Sequence, residues 1–282
     1  MDIYVKEKRA EERALLEDDK LTYAVLFNVL AGPVKKVITD HKRVLIVHTA
    51  PVFPTWIWAP DDVTGEELEL IYQTIKKEFS SIKDYRFNTK YEIAEYLIKR
   101  LAEDGENARI LVNMAAYDCP APRPPKKQVD GKLEVLTEDE LELAARMVRE
   151  ASKAIGDRIF TEEESVLEAK AQIEKQNIFV WRNADGEAVS FCGKTEDEHY
   201  VKITQVYTVP EFCRRNYAGR MVYEICREVV ANGQMPMLYA DADYYASNRC
   251  YQNIGFELKG RLVTIGVKKE KENEQRRITA SI

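Results

Sequence analysis

Apolar and polar positions alternate along the chain in short, well-separated periods. In the second half, Leu141, Ala144, Val148, Ala151 and Ile155 fall on one helical face. So do Val166, Ala169 and Ile173, and then Ala218, Met221, Val222, Ile225 and Val229. The first two stretches open with Thr137-x-x-Glu140 and Thr161-x-x-Glu164, a pattern in which each side chain accepts a free backbone N–H at the helix start. Strands are predicted over 133–136, 178–182, 188–193, 200–209, 237–240 and 262–267, with Asp185-Gly186 marking a hairpin turn. A short helix is predicted over 247–253. The order is β-α-α-β-β-β-α-β-α-β, an α/β arrangement.

The first half has its own periods. A charged helix runs to about residue 19 and an apolar one covers 22–30. Strands are expected over 44–49 and 52–59. A helix opened by Thr64-x-x-Glu67 aligns Leu68, Ile71, Ile75 and Phe79, and another over 90–102 aligns Ile93, Leu97 and Leu101. A buried strand is expected over 108–116. The half is α/β and holds no motif tied to chemistry. Trp56 and Trp58, in the run PTWIWAP, fit a core or an interface better than a ligand box.

Between the halves, residues 117–131 read YDCPAPRPPKKQVDG, with four prolines and a Lys-Lys pair. This composition sustains neither helix nor central strand. The organisation expected is an N-terminal α/β domain (1–120), a linker (121–131), a C-terminal domain (132–268) and a charged tail (269–282).

Composition narrows the class. The 282 residues are 45% apolar, and 42 basic against 48 acidic residues leave a net charge of −6. That fits a soluble globular chain and argues against nucleic acid as the partner. The longest uncharged stretch, 44–60, is shorter than the roughly 20 residues of a membrane span and is broken by Pro51 and Pro54. The first 20 residues mix charges without an apolar core, so no signal or transit peptide is expected. Five widely spaced cysteines without a CxxC read as reduced thiols in a cytoplasmic protein. The three histidines stand in no ligand spacing with one another or with a cysteine, so no metal site is expected.

Two stretches carry candidate chemistry. In VYTVPEFCRRNYAGRMVYEI (206–225) a strand ends at Pro210, and a basic loop enters a helix whose first turns hold Ala218 and Gly219. A helix start offers free amides and the positive end of the helix dipole, and Asn216 tolerates a left-handed turn. The physical reading is an anion cradle with Arg214 and Arg215 adding charge, set against a plain turn with two solvated arginines. In LYADADYYASNRCYQNIGFEL (238–258) a short helix places Asn248 and Tyr251 on one face. A cleft-facing Tyr there can donate a proton, although packing is the commoner use of such a residue.

Together, in this order and separation, the two stretches resemble the GNAT superfamily of N-acetyltransferases, over about 133–268. The resemblance extends to two-part bacterial members with a divergent N-terminal domain, here an α/β unit laid out like a degenerate copy of the same fold. It implies a mixed, mostly antiparallel sheet flanked by helices. It implies acetyl-CoA as co-substrate, held by Val206, Tyr207 and Thr208 of the central strand, by the loop and helix start Arg214, Arg215, Asn216, Tyr217, Ala218 and Gly219, and by Asn248. Tyr251 would contact the cofactor and protonate the departing thiolate. Two positions depart from the family loop pattern Arg/Gln-x-x-Gly-x-Gly/Ala: Cys213 at its first position and Asn216 at its glycine. The central strand carries no carboxylate, so the general base falls to Asp241 or Asp243, with Glu196 and Glu198 weaker candidates. The implied reaction is direct attack by a small-molecule primary amine in a ternary complex. The alternative is a non-catalytic acyl-CoA-binding regulatory or scaffolding protein. The N-terminal half would form one wall of the acceptor cleft or mediate a homodimer, with Trp56 and Trp58 as its contact residues.

Overall fold

The structure, a computed structural model, describes residues 1–4, 10–50, 52–79, 82–156 and 159–267; Lys268 and the charged tail lie outside the described residues. The first elements are β1 (Asp2–Tyr4), α1 (Ala10–Leu15), α2 (Ala24–Val29), β2 (Lys36–Thr39), β3 (Leu45–His48), β4 (Thr55–Trp58), α3 (Gly65–Glu78), β5 (Arg86–Thr89), α4 (Tyr91–Glu103) and β6 (Arg109–Asp118). There follow β7 (Lys132–Val135), α5 (Leu141–Ile155), α6 (Glu162–Glu174), β8 (Ile178–Arg182), β9 (Ala188–Glu196), β10 (Tyr200–Thr208), α7 (Tyr217–Ala231), β11 (Met235–Asp241), α8 (Tyr245–Asn253) and β12 (Glu257–Gly266). Two compact units form. The first holds residues up to 116, the segment 240–244 and the described residues from 258 onward; the second holds 117–239 and 245–257. No helix of the described residues is long and apolar enough to cross a membrane.

In the first unit β2, β3 and β4 pair antiparallel, and β5 returns parallel to β4 after α3. Successive strand residues point to opposite faces. Here both faces are covered, which is why β3 and β4 read as unbroken apolar runs. Ile46 and Ile57 pack with Ile71, Ile75 and Leu97 of α3 and α4. Their neighbours Leu45, Val47, Trp56 and Trp58 pack with Tyr23, Leu26 and Leu30. Trp56 and Trp58 are therefore core residues, 7% and 6% exposed, and not the contact surface considered from sequence. The Trp58 indole donates to Asp19 at 2.8 Å. The strand expected to close the C-terminal half, β12, sits in the first unit and pairs antiparallel with β5, Val263 opposite Thr89. It contributes Val263 and Ile265 to one core and Leu262 to the other, and its Thr264 hydroxyl donates to Asn88 at 2.7 Å.

The second unit repeats that order of elements. β7, β8, β9 and β10 form an antiparallel run, and β11 returns parallel to β10 after α7. Helices α5 and α6 bury Ala144, Val148, Ala151, Ala169 and Ile173 against Ile178, Val180 and Phe191. The reciprocal caps Thr64/Glu67 and Thr161/Glu164 form as the sequence predicts. The one expected at Thr137 does not: a 3₁₀ turn intervenes, α5 starts at Leu141, and the Glu140 carboxylate binds Arg182 instead of reaching back.

The proline-rich segment is a strap on the second unit. The Cys119 and Arg123 amides donate to the carbonyls of Pro236 and Ile254. Asp130 ends the strap, accepting from the Ala184 amide at 2.8 Å while its carbonyl accepts from the Trp181 indole at 2.8 Å. Gly131 follows at φ +88°, where a Cβ would lie 1.8 Å from the Arg182 carbonyl oxygen.

Candidate functional site

The site begins where β10 and β11 part. Their parallel register runs from Tyr200↔Met235 to Lys202↔Met237 and stops there. On its other side β10 stays paired with β9 as far as Thr208↔Ser190, with a bulge between Thr204 and Tyr207 and Gln205 at φ +53°. Among the described residues, the edge over 203–208 thus has no strand partner on the β11 side. Parallel strands that diverge at their carboxyl ends open a crevice for ligands. Val206 lies in the bulge. The carbonyl of Tyr207 accepts from the Ser190 hydroxyl at 2.8 Å, and that hydroxyl lies 3.0 Å from the Thr208 hydroxyl. Burial raises the Tyr207 phenol pKa.

After β10, a 3₁₀ turn over Pro210–Phe212 leads into the basic loop. Asn216, the residue before α7, adopts φ +76°, ψ +15°, the left-handed turn expected of it. Arg214 has a positive φ too, +62°, which the sequence did not indicate. The Asn216 side chain does not cap α7; its amide donates to the Lys127 carbonyl of the strap at 3.1 Å. No hydrogen bond among the described residues uses the amides of Tyr217, Ala218 and Gly219, and no acidic residue lies in the first turn. Left-handed and right-handed residues in succession turn such amides into one concavity suited to an anion. Arg214 and Arg215 are exposed, and neither makes an ion pair among the described residues. Arg215 lies 5.1 Å over the Phe212 ring.

Gly219 has a role other than admitting a phosphate. A Cβ there would lie 2.7 Å from Asn216 Oδ1 and 3.2 Å from Cys250 Sγ, so the glycine lets the loop and α8 close on α7. Tyr217 reaches the strap: its hydroxyl donates to Asp130 at 2.7 Å, which raises the phenol pKa and lowers that of the carboxyl. Cys213 is half-buried, with Sγ 3.7 Å and 3.8 Å from the Thr208 and Val209 carbonyl oxygens. Burial pushes its thiol pKa up, against the opposing pull of Arg214.

On α8, Asn248 is 8% exposed and accepts from the Tyr117 hydroxyl at 2.8 Å. Tyr117 escaped sequence reading because it stands at the edge of the proline-rich segment, far from either motif. Tyr251 is half-buried, its ring packed edge-on to Phe256 at 5.7 Å. The β10 edge, the 214–219 turn, Asn248 and Tyr251 all belong to the second unit, and α8 meets α7 where Cys250 lies beside Gly219. Asp241 is not grouped with them: segment 240–244 belongs to the first unit, and its exposed carboxylate accepts the Asp243 amide at 2.9 Å. Asp243 in turn accepts from Asn113 at 3.0 Å, and Glu196 pairs with Lys194 at 2.8 Å.

The first unit presents the contrasting case. Its equivalent helix, α3, is closed at its start by the Thr64/Glu67 cap, carries Glu66 and Glu67 in its first turn, and follows Asp61 and Asp62. Arg43 is held there by Glu67 and Asp62. That helix start repels an anion.

A mixed sheet with this order, splayed beside an open helix N-terminus, is the fold of the GNAT acetyltransferases. The fold matches an acetyltransferase from the GNAT family of Colwellia psychrerythraea at 13% identity, over 95% of this chain and 100% of that one, TM-score 0.58. It matches GCN5-related N-acetyltransferases from Sphaerobacter thermophilus (13%, 93% and 94%, TM-score 0.62) and Kribbella flavida (16%, 95% and 98%, TM-score 0.55). Residues 183–264, which include the turn, α7 and α8, match the model of the FR47-like protein family. The chain thus has the fold of these acetyltransferases, and its C-terminal part carries a segment similar to the FR47-like family. No curated protein matches the sequence.

Proposed function

We propose that the chain is an N-acetyltransferase that moves the acetyl group of acetyl-CoA to the primary amine of a small molecule. One observation carries the reading: amides of residues 217–219 and two arginines that have no partner among the described residues stand at the end of a strand whose edge no described strand covers. Such a turn suits a diphosphate, and an open strand edge suits the amide-bearing pantetheine arm. Acetyl-CoA would supply an acetyl group activated as a thioester.

The chain's own residues then have separable tasks. Arg214, Arg215, Asn216, Tyr217, Ala218 and Gly219 hold the diphosphate. The backbone of Val206, Tyr207 and Thr208 orders the arm and polarises the carbonyl. Asn248, fixed by Tyr117, binds the cofactor. Tyr251 donates the proton that the departing sulfur takes up as nitrogen bonds to the acetyl carbon. Water would take the proton that the amine gives up, since Asp241 is not grouped with these residues. Holding the reactants in line and stabilising developing charge on the carbonyl supply much of the rate.

Calorimetric titration of acetyl-CoA tests the binding step, and thiol release with a panel of amines tests turnover. Replacing Tyr251→Phe should lower kcat with KM nearly unchanged; an unaltered kcat removes its role as acid. Tight binding without turnover on any amine supports the non-catalytic acyl-CoA binder instead.

A further inference from the structure

The geometry points to a divalent transition-metal site in the first unit, formed by Glu11 and Glu12 of α1 and His41 of the β2–β3 turn. One ligand atom from each of the three lies within 4.8 Å of the others. Glu11 and His41 are exposed, and Glu12 is 2% exposed. Among the described residues the buried Oε1 of Glu12 has no hydrogen-bond partner. Its opposite is His41 Nδ1 at 3.9 Å, an ion-pair separation when the imidazole is protonated but too long for a hydrogen bond. A carboxylate removed from water without a hydrogen-bond donor is costly, and a neutral imidazole leaves it so.

That spacing suits a shared ion. Two donors each about 2.1 Å from zinc stand at most about 4.2 Å apart. The 3.9 Å separation falls inside this span, and the wider spacings close with a small rotation of an exposed side chain.

The imidazole is presented by a firmly built turn. The His41 amide donates to the Thr39 hydroxyl at 2.9 Å. Asp40 Oδ1 accepts from the amides of Lys42, Arg43 and Val44 at 3.0, 2.8 and 2.8 Å. His41 itself is held at φ +61°.

One imidazole nitrogen and two carboxylate oxygens favour zinc or a similar first-row ion over magnesium or calcium, which take oxygen donors. The ion would fasten α1 to the β2–β3 turn. Sequence spacing gives no sign of this site, because its ligands come from elements 29 residues apart (12 to 41).

The test uses the full chain, stripped with a chelator, kept reduced, and titrated with zinc against a chromogenic competitor. One equivalent should bind and raise the melting temperature. Glu12→Gln and His41→Asn should each weaken that equivalent by about tenfold or more, the range seen when even outer-shell partners are lost. Asn keeps the left-handed backbone at 41, and Glu11→Gln, at an exposed position, is a third variant that does not disturb the core. Millimolar magnesium or calcium should not displace the zinc. Absence of zinc binding, or equal affinity in all three variants, overturns the site; the second result would place the ion on cysteines or elsewhere.

Discussion

Asn216 lends itself to a paired substitution that separates backbone from side chain. At φ +76° an alanine carries a left-handed penalty of about 1 kcal/mol relative to asparagine, which tolerates this region. Either alanine or glycine also loses the side-chain hydrogen bond to the Lys127 carbonyl, worth about 1 kcal/mol. Asn216→Ala should therefore lower stability by about 2 kcal/mol and Asn216→Gly by about 1 kcal/mol. Urea denaturation reads both. The difference carries over to the ligand. When the turn relaxes out of its left-handed form, the amides of 217–219 no longer converge, and restoring them before binding costs that same ~1 kcal/mol, about fivefold in affinity. Calorimetry should then place the glycine variant near the parent for CoA and the alanine variant about fivefold weaker. Equal affinities for the two variants, or a glycine variant as weak as alanine, would refute the claim that the left-handed turn shapes the anion site.

Other expectations concern single contacts. Tyr117→Phe removes the buried hydroxyl that donates to Asn248; stability should fall by about 1 kcal/mol, seen as a melting temperature lower by a few degrees, with weaker CoA binding in the same preparation. Asp130 is held below the usual carboxyl pKa, first by the Tyr217 hydroxyl and then by the Ala184 amide. Its lowered folded value means its stabilisation is full above the unfolded pKa of about 3.9 and disappears as pH falls through the folded one. The stability gap between the parent and Asp130→Asn should therefore shrink as acid is added below about pH 4, and a gap independent of pH would contradict this. The raised Cys213 thiol should be alkylated slowly at neutral pH, and under the proposed direct transfer, which forms no acyl-cysteine, Cys213→Ser should retain turnover; mass mapping and the thiol-release assay check each.

The second unit was largely legible in the sequence because its helices are amphipathic and its motifs are local. The turn at Asn216 could be placed from one residue type, since few side chains accept a positive φ. The positive φ of Arg214 could not, because nothing in an arginine side chain marks that conformation. β2 and β5 were missed: each is four residues long, Lys36 opens the first, and the second, RFNT, holds a single apolar residue. Thr137 misled because a cap needs its glutamate free, and Arg182, 42 residues from Glu140, claims it. Tyr117 and the strap show the same limit. Contacts between positions far apart in the chain leave no period to read, and the proline-rich stretch that looked like a tether is fastened by backbone bonds to β11 and to Ile254, just past α8.

The place of β12 bears on how the protein is made. A ribosome delivers residues 1–116 long before residues 257–266, so β5 has to wait for its antiparallel neighbour until β12 itself has emerged. Closing so long a loop is slow, and meanwhile the nascent amino-terminal part exposes an unpaired strand edge, a template for aggregation. A fragment cut at the proline-rich stretch inherits that exposed edge permanently, so β5 keeps its partner only where both stretches stay in one chain.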